Sequence, residues 1–135
     1  MKVIAVRLLP GTDLKQELQR ISKEKQLQAG FIYTCVGSLS KATLRMAGAQ
    51  ADKGDVRTYN EELEIVSIEG TLSIHGMHVH LGLSKIDGSC IGGHLKDGCI
   101  VKTTAEIVIG EAAEFQFLRE EDKDTGFTEL VVKPL

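Results

Sequence analysis

No stretch of this 135-residue chain approaches the roughly 18 to 20 consecutive apolar residues that a membrane-spanning helix needs, so no membrane partner is expected. The opening residues, MKVIAVRLLPGTD, hold too short an apolar run for a secretory signal. They also lack a small-residue cleavage site before Pro10-Gly11, and export is not expected. Cysteine is scarce and odd in number: Cys35, Cys90 and Cys99 show no CxxC spacing. That fits reduced thiols in a cytoplasmic protein better than a disulfide framework. Runs of Lys and Arg are missing, as is any Arg-Gly-Arg-Pro segment of the kind that lies in AT-rich minor grooves. With a formal net charge of -3, the composition builds in no general attraction for a polyanion. Low-complexity linkers and internal repeats are absent. So are the P-loop, the dinucleotide fingerprint, and any Ser-His-Asp or Cys-His arrangement for nucleophilic catalysis. These exclusions leave one globular domain over residues 1–135.

What is present reads as strands around one helix. KVIAVRLL is rich in branched apolar residues and stops at Pro10-Gly11, the pattern of a strand and a turn. In TDLKQELQRISKEKQ, Leu14, Leu18 and Ile21 recur at helical spacing while Lys15, Glu17, Arg20, Lys23 and Glu24 fill the other face. Asp13 is placed to accept from the amide of Gln16, and Gly30 is the expected stop. From Gly30 the period shortens to two. FIYTCV, KATLRM, LEIVSIEGTL, HVHLGLS, IVKTTAEIVI, EFQFLR and FTELVV read as strands, and AGAQADKGDVRTYNE as a surface loop. The expected fold is α+β: a mostly antiparallel sheet of seven or eight strands with one main N-terminal helix, because short connections leave little room for crossovers.

The chain has only four histidines, and three fall within HVHLGLSKIDGSCIGGHL. On an extended strand His78, His80 and Gly82 share one face while Val79, Leu81 and Leu83 take the other. The Cα atoms of His78 and His80 then lie about 6.6 Å apart, near enough for both imidazoles to converge on one ion. The third histidine depends on register. Ile86-Asp87-Gly88 has the chemistry of a three-residue loop, a type I turn ending with Gly88 in the left-handed region. Counting back pairs Ser84 with Cys90, Gly82 with Gly92 and His80 with His94, all on one face. A two-residue Asp87-Gly88 loop would turn His94 to the other side. Three neutral imidazoles favour zinc or a related divalent ion and leave a fourth position open for a small-molecule or anionic ligand. Cys90, about 13 Å along the strand from His94, is too far to join them, and His75 lies off the strand before Gly76. Gly82, Gly92 and Gly93 are read as supporting glycines that permit close approach to the rings. The competing reading is that the histidines bond to backbone or to one another across an oligomer interface.

The stretch HVHLGLSKIDGSCIGGHLKDGCIVKTTAEIVI resembles the central signature of the plants and prokaryotes conserved domain, the PPC domain. The likeness extends to RLLPGTDL with its following helix, to GSLSKATLR and to LEIVSIEGTLS, and so spans almost the whole chain. The resemblance implies an antiparallel sheet flanked by helices, assembled as a homotrimer. In prokaryotic members that keep the histidines it also implies a metal, zinc by preference, at the positions of His78, His80 and His94. Plant members of the family join this domain to AT-hooks and bind AT-rich DNA. This chain has no AT-hook, and it has EELEI where those members carry a Gly-Arg-Phe-Glu-Ile stretch.

Three functions are therefore weighed. The first is a metal-bearing trimer associated with DNA or regulatory proteins. The second is a zinc-dependent enzyme acting on a small molecule, for which Glu106 is put forward as a general acid or base, with Glu69 and Asp97 as further carboxylates. In the third, the ion braces the hairpin and plays a structural role.

Overall fold

The computed structural model describes residues Met1–Leu135. In chain order the elements are β1 (Lys2–Leu8), α1 (Leu14–Glu24), β2 (Gly30–Arg45), β3 (Val56–Tyr59), β4 (Leu63–Ser73), β5 (Gly76–Ser84), β6 (Cys90–Leu95), β7 (Ile100–Glu111), β8 (Phe115–Glu121) and β9 (Thr128–Pro134). Every strand pairing is antiparallel. Seven strands form one sheet in the order β1-β7-β2-β4-β5-β6, with β3 on β2, while β8 and β9 make a separate two-stranded ribbon.

The sheet curls because β2 is long and irregular. Its pairing with β7 shifts register between Ile32 and Thr34, between Gly37 and Leu39, and between Leu39 and Lys41, and such irregularities bend and twist a strand. The bend carries the end of β2 round to β6, where Leu44 pairs with Leu95 and Arg45 with His94. The strands β2, β4, β5 and β6 thus close on themselves. Alternate side chains of these strands, among them Leu39, Leu44, Leu63, Leu81, Leu83 and Leu95, fill the inside with 3% exposure or less. Burial of that apolar surface is the main driving force for the closure.

The helix forms where its periodicity predicts it. Leu14, Leu18 and Ile21 are buried in the core, and Glu17 and Glu24 both pair with Arg20 on the outer face. Asp13 caps it twice over: one carboxylate oxygen accepts from the Gln16 amide at 3.0 Å and the other from the Gly98 amide at 2.7 Å. The cap therefore also ties the helix to the turn before β7. Asp13→Ala is expected to cost about 2 kcal/mol, one lost cap plus one orphaned amide, with Asp13→Asn intermediate. Equilibrium urea unfolding measures it. A loss below about 0.5 kcal/mol would mean that water replaces both bonds.

Four expectations change. Gly30 does not end the helix: Lys25 caps it, Gln26 turns the chain at φ 50, and Gly30 opens β2, where a Cβ would sit 2.8 Å from the Leu72 carbonyl oxygen. FIYTCV and KATLRM are one strand of 16 residues, since Gly37 lets the backbone of β7 cross close by and the chain stays extended through Ser38. The loop of residues 47–61 contains β3, bringing the strand count to nine. The helices implied to flank the sheet reduce to one.

Candidate metal centre

Strand alternation decides which way β5 faces. Val79, Leu81 and Leu83 are buried, which leaves His78, His80 and Gly82 on the outer surface of the closed strands. The hairpin that follows has the three-residue loop. The Lys85 amide donates to the Ser89 carbonyl oxygen at 2.8 Å, the Gly88 amide to that of Lys85 at 2.9 Å, and Gly88 sits at φ 84. Asp87 holds the turn by accepting from the Ser89 amide and hydroxyl, and those bonds depress its carboxyl pKa. The resulting register pairs Ser84 with Cys90, Gly82 with Gly92 and His80 with His94. On its other edge His94 is paired with Arg45 of β2.

The three imidazoles meet. One ring nitrogen from each of His78, His80 and His94 lies within 4.8 Å of the others, and the Nε2 atoms of His78 and His80 are 3.0 Å apart. A tetrahedral ion with Zn–N bonds of about 2.0–2.1 Å requires its ligand nitrogens about 3.3 Å from one another, so the His78–His80 pair is already near that spacing and the wider gaps must close by at most about 1.5 Å. The protonation state also suits an ion. Burial, then Arg45 and the two neighbouring imidazoles, push His94 down to about 4. Burial and His80 lower His78 in the same direction, and Arg119 adds to it. At neutral pH these rings are uncharged and keep a lone pair. The donor set thus fits a divalent metal ion.

The neighbouring Arg45 bears on the same electrons. Its Nη2 lies 3.4 Å from Nδ1 of His94, and a guanidinium can only donate, so Nδ1 is the acceptor in that contact. A metal ligated through Nδ1 would compete for that lone pair, and ligation through Nε2 would leave a proton on Nδ1 facing Arg45. An ion and the Arg45 contact exclude one another.

The depressed His94 pKa sets a pH dependence for metal-free protein. The unfolded ring titrates near ~6.5 and the folded one at about 4, so the unfolded state takes up more protons between those values. Stability is full above pH ~6.5 and declines as the pH falls toward 4. The melting temperature of chelator-treated protein should follow that course, and His94→Gln should flatten it. Equal slopes in the two proteins would exclude His94 as the group responsible.

The carboxylates weighed as acid or base stand at different places in the sheet. Glu106, on β7, faces Val36 of β2 and Arg7 of β1. Val36 stands nine positions before Arg45, the partner of His94, on β2. Glu106 is not among the groups whose ligand atoms cluster with the histidines. Glu69, on β4, is directly opposite His80 and shares a shallow hollow with it and His78. The supporting glycines make room for neighbouring strands rather than for the rings: a Cβ at Gly92 would lie 2.7 Å from the Leu81 carbonyl oxygen, one at Gly93 2.7 Å from that of Arg45, and one at Gly82 2.6 Å from the Ser67 hydroxyl. They allow the strands that carry the histidines to pack closely. Cys35 and Cys99 are each pushed up to about 11, chiefly by burial, and neither supplies a thiolate at neutral pH.

Several neighbours come from afar. Arg119 of β8 donates to the Thr71 hydroxyl at 3.0 Å, beside His78, and the Arg45 guanidinium lies 5.1 Å from the centre of the Phe127 ring. No local pattern in the sequence marks these residues, because they reach the histidines through long-range pairing.

The family model of the Plants and Prokaryotes Conserved (PCC) domain matches residues 1–113. A protein named Bifunctional protein GlmU from Synechococcus sp. (strain JA-2-3B'a(2-13)) is 44% identical over 135 residues, all of this chain and 21% of that protein. The chain thus spans about a fifth of the length of this curated relative. Among solved structures, a hypothetical protein from Salmonella superposes with a TM-score of 0.92 at 36% identity, covering 98% of this chain and 94% of the other. A metal-containing protein from Archaeoglobus fulgidus superposes with a TM-score of 0.80 at 25% identity, covering 97% and 94%. A candidate DNA-binding protein from Bacteroides thetaiotaomicron shares the fold with a TM-score of 0.84 at 24% identity, covering 96% and 91%.

Proposed function

Because the chain belongs to the Plants and Prokaryotes Conserved domain family, and its three clustered imidazoles suit a divalent ion, we propose that it is a metal-bearing homotrimeric regulatory protein of the cytoplasm. The ion, zinc or a related divalent metal, is held by His78, His80 and His94. The observation that carries this reading is the approach of three ring nitrogens to within 4.8 Å on one outward face. The Archaeoglobus protein of the same fold, called metal-containing, supports it. Zinc held by three imidazoles would supply a Lewis acid with one coordination position open. Elemental analysis of protein purified without an affinity tag tests the assignment: about one zinc per chain is expected, and none after repeated purification would refute it.

The trimer rests on the family resemblance and on an exposed apolar face. Val3 on β1 and Tyr33 and Val36 on β2 are 55%, 52% and 60% exposed on the side of the sheet away from the core. A second copy of the chain is the occupant that hides this surface symmetrically. Val36→Asp should shift the mass found by sedimentation equilibrium from three chains toward one. A parent that sediments as a monomer would end the assembly proposal.

DNA association draws support from the fold shared with the candidate DNA-binding protein. The charge of this chain adds little, since Arg20, Arg57, Lys85 and Lys102 are each paired with a carboxylate. Anisotropy of a labelled AT-rich duplex, measured at two salt concentrations, decides it: binding through phosphates must weaken steeply as salt rises. One observation favours the enzyme reading as an alternative. Glu69 stands opposite His80, where a general base would be useful, and a turnover lost on chelation and restored by zinc would establish that reading.

A further inference from the structure

Beside the histidines lies an open cleft of about 740 Å³, walled by the closed strands on one side and by the β8–β9 ribbon and its loop on the other. Four basic side chains from four separate parts of the fold line it: Lys15 of α1, Arg45 of β2, Lys96 just after β6, and Arg119 of β8. Glu129 is the only carboxylate in the lining. All four cations are half-buried, and none takes part in any of the five ion pairs of the chain. In a protein of net charge -3 this concentration is not a by-product of composition.

Half-buried cations short of counter-charge are costly, because they lose hydration that neutral contacts, such as those of Arg119 with Thr71 and of Arg45 with His94 and Phe127, offset only in part. Burial pulls Arg119 below its ordinary pKa, and Glu129 only partly offsets that effect. An anion in the cleft would supply the missing charge. The lining also includes His78 and His94 at one end and the apolar side chains of Met77 and Phe127. The concave shape suits a small molecule better than a duplex, whose phosphates lie on a broad convex surface.

We propose that this cleft binds a small organic anion with at least two negative charges, its carboxylate or phosphate groups held by Arg119, Lys96 and Lys15 and its carbon skeleton against Met77 and Phe127. The site adjoins the metal position assigned above, and in that respect the proposal deepens that reading. The four cations are in place without an ion, however, so binding is expected in both metal-free and zinc-loaded protein. Arg45 is the member whose role changes with metal, because an ion excludes its contact with His94.

Calorimetric titration with succinate and with glycerol 3-phosphate tests the proposal and separates the carboxylate from the phosphate source. At least one probe should bind the parent, loaded or metal-free, and bind at least tenfold more weakly to Arg119→Gln and to Lys96→Gln. Arg20→Gln, on the outer helix face, should match the parent. Melting curves of each variant show that the fold persists; Lys96 makes no ion pair whose loss could unfold the chain. The proposal is overturned if neither probe binds, or if both cleft variants bind as the parent does. It is also overturned if an AT-rich duplex displaces the probe and needs the same cations, which would assign the surface to nucleic acid. Retention of the probe by a protein that never takes up zinc would sink the metal reading and leave this one standing.

Discussion

Replacing His94 with glutamine is expected to reduce retained zinc from about one ion per chain to less than a tenth, because two strand-borne imidazoles cannot close a tetrahedral site. The stability of the parent should fall with the metal. An ion present at about a hundred times its dissociation constant stabilises by about 2.7 kcal/mol, or roughly 10 °C in melting temperature for a chain of this size. Chelator should therefore lower the parent by that amount and leave His94→Gln nearly unchanged. His75→Gln is the matched control: this fourth histidine is exposed, stands outside the cluster, and should retain both the zinc and the chelator response. Calorimetric scans with and without chelator, alongside elemental analysis, provide both readouts. If the parent melts at one temperature in both conditions and His94→Gln holds as much zinc, the three-histidine centre does not exist.

The second large effect lies far from the histidines. A Cβ built on Gly37 would stand 2.0 Å from the Thr104 carbonyl oxygen and 2.8 Å from the Ala105 Cα, both backbone atoms of β7. No side-chain rotation relieves such a contact, so Gly37→Val must push β7 away from β2 or break the pairing between them. A loss of at least ~4 kcal/mol is expected, a large part of the roughly 5–15 kcal/mol that holds an ordinary domain together. Gly48→Ala is the contrast. At φ 88 it has nothing within 4 Å, and only the left-handed backbone resists the new methyl group, at about 1 kcal/mol. Urea unfolding of the three proteins ranks them. Equal stability for Gly37→Val and Gly48→Ala would mean that the two strands yield without losing their bonds.

Some of the fold and of the site could be read directly. The core-facing residues of α1 and its Asp13 cap follow from spacing alone, since a helix is governed by neighbours three and four residues away. The register of the β5–β6 hairpin was narrowed to two choices, because a loop as short as Ile86-Asp87-Gly88 leaves few ways to pair the flanking strands, and the structure has the three-residue one. Where reading failed, the cause was contact with distant chain. FIYTCV and KATLRM read as two strands, yet the chain stays one strand through Gly37, which pairs closely with Ala105 of β7, more than 60 residues later. Which carboxylate pairs beside the histidines is likewise set by distant chain: Glu106 pairs with Arg7 and Val36, and Glu69 with His80.

The amino-acid order by itself determined that His78 and His80 share a face, because alternation acts over a handful of bonds, and it narrowed His94 to two registers; the three-residue loop of the structure selects the one opposite His80. Only the tertiary structure decided what surrounds them. The bend of β2 sets Arg45 against His94, and the separate ribbon brings Arg119 and Phe127 over the same surface. Those placements depend on which strands pair across most of the chain's length, a choice made by collective burial of the core that leaves no local mark beside the residues it brings together.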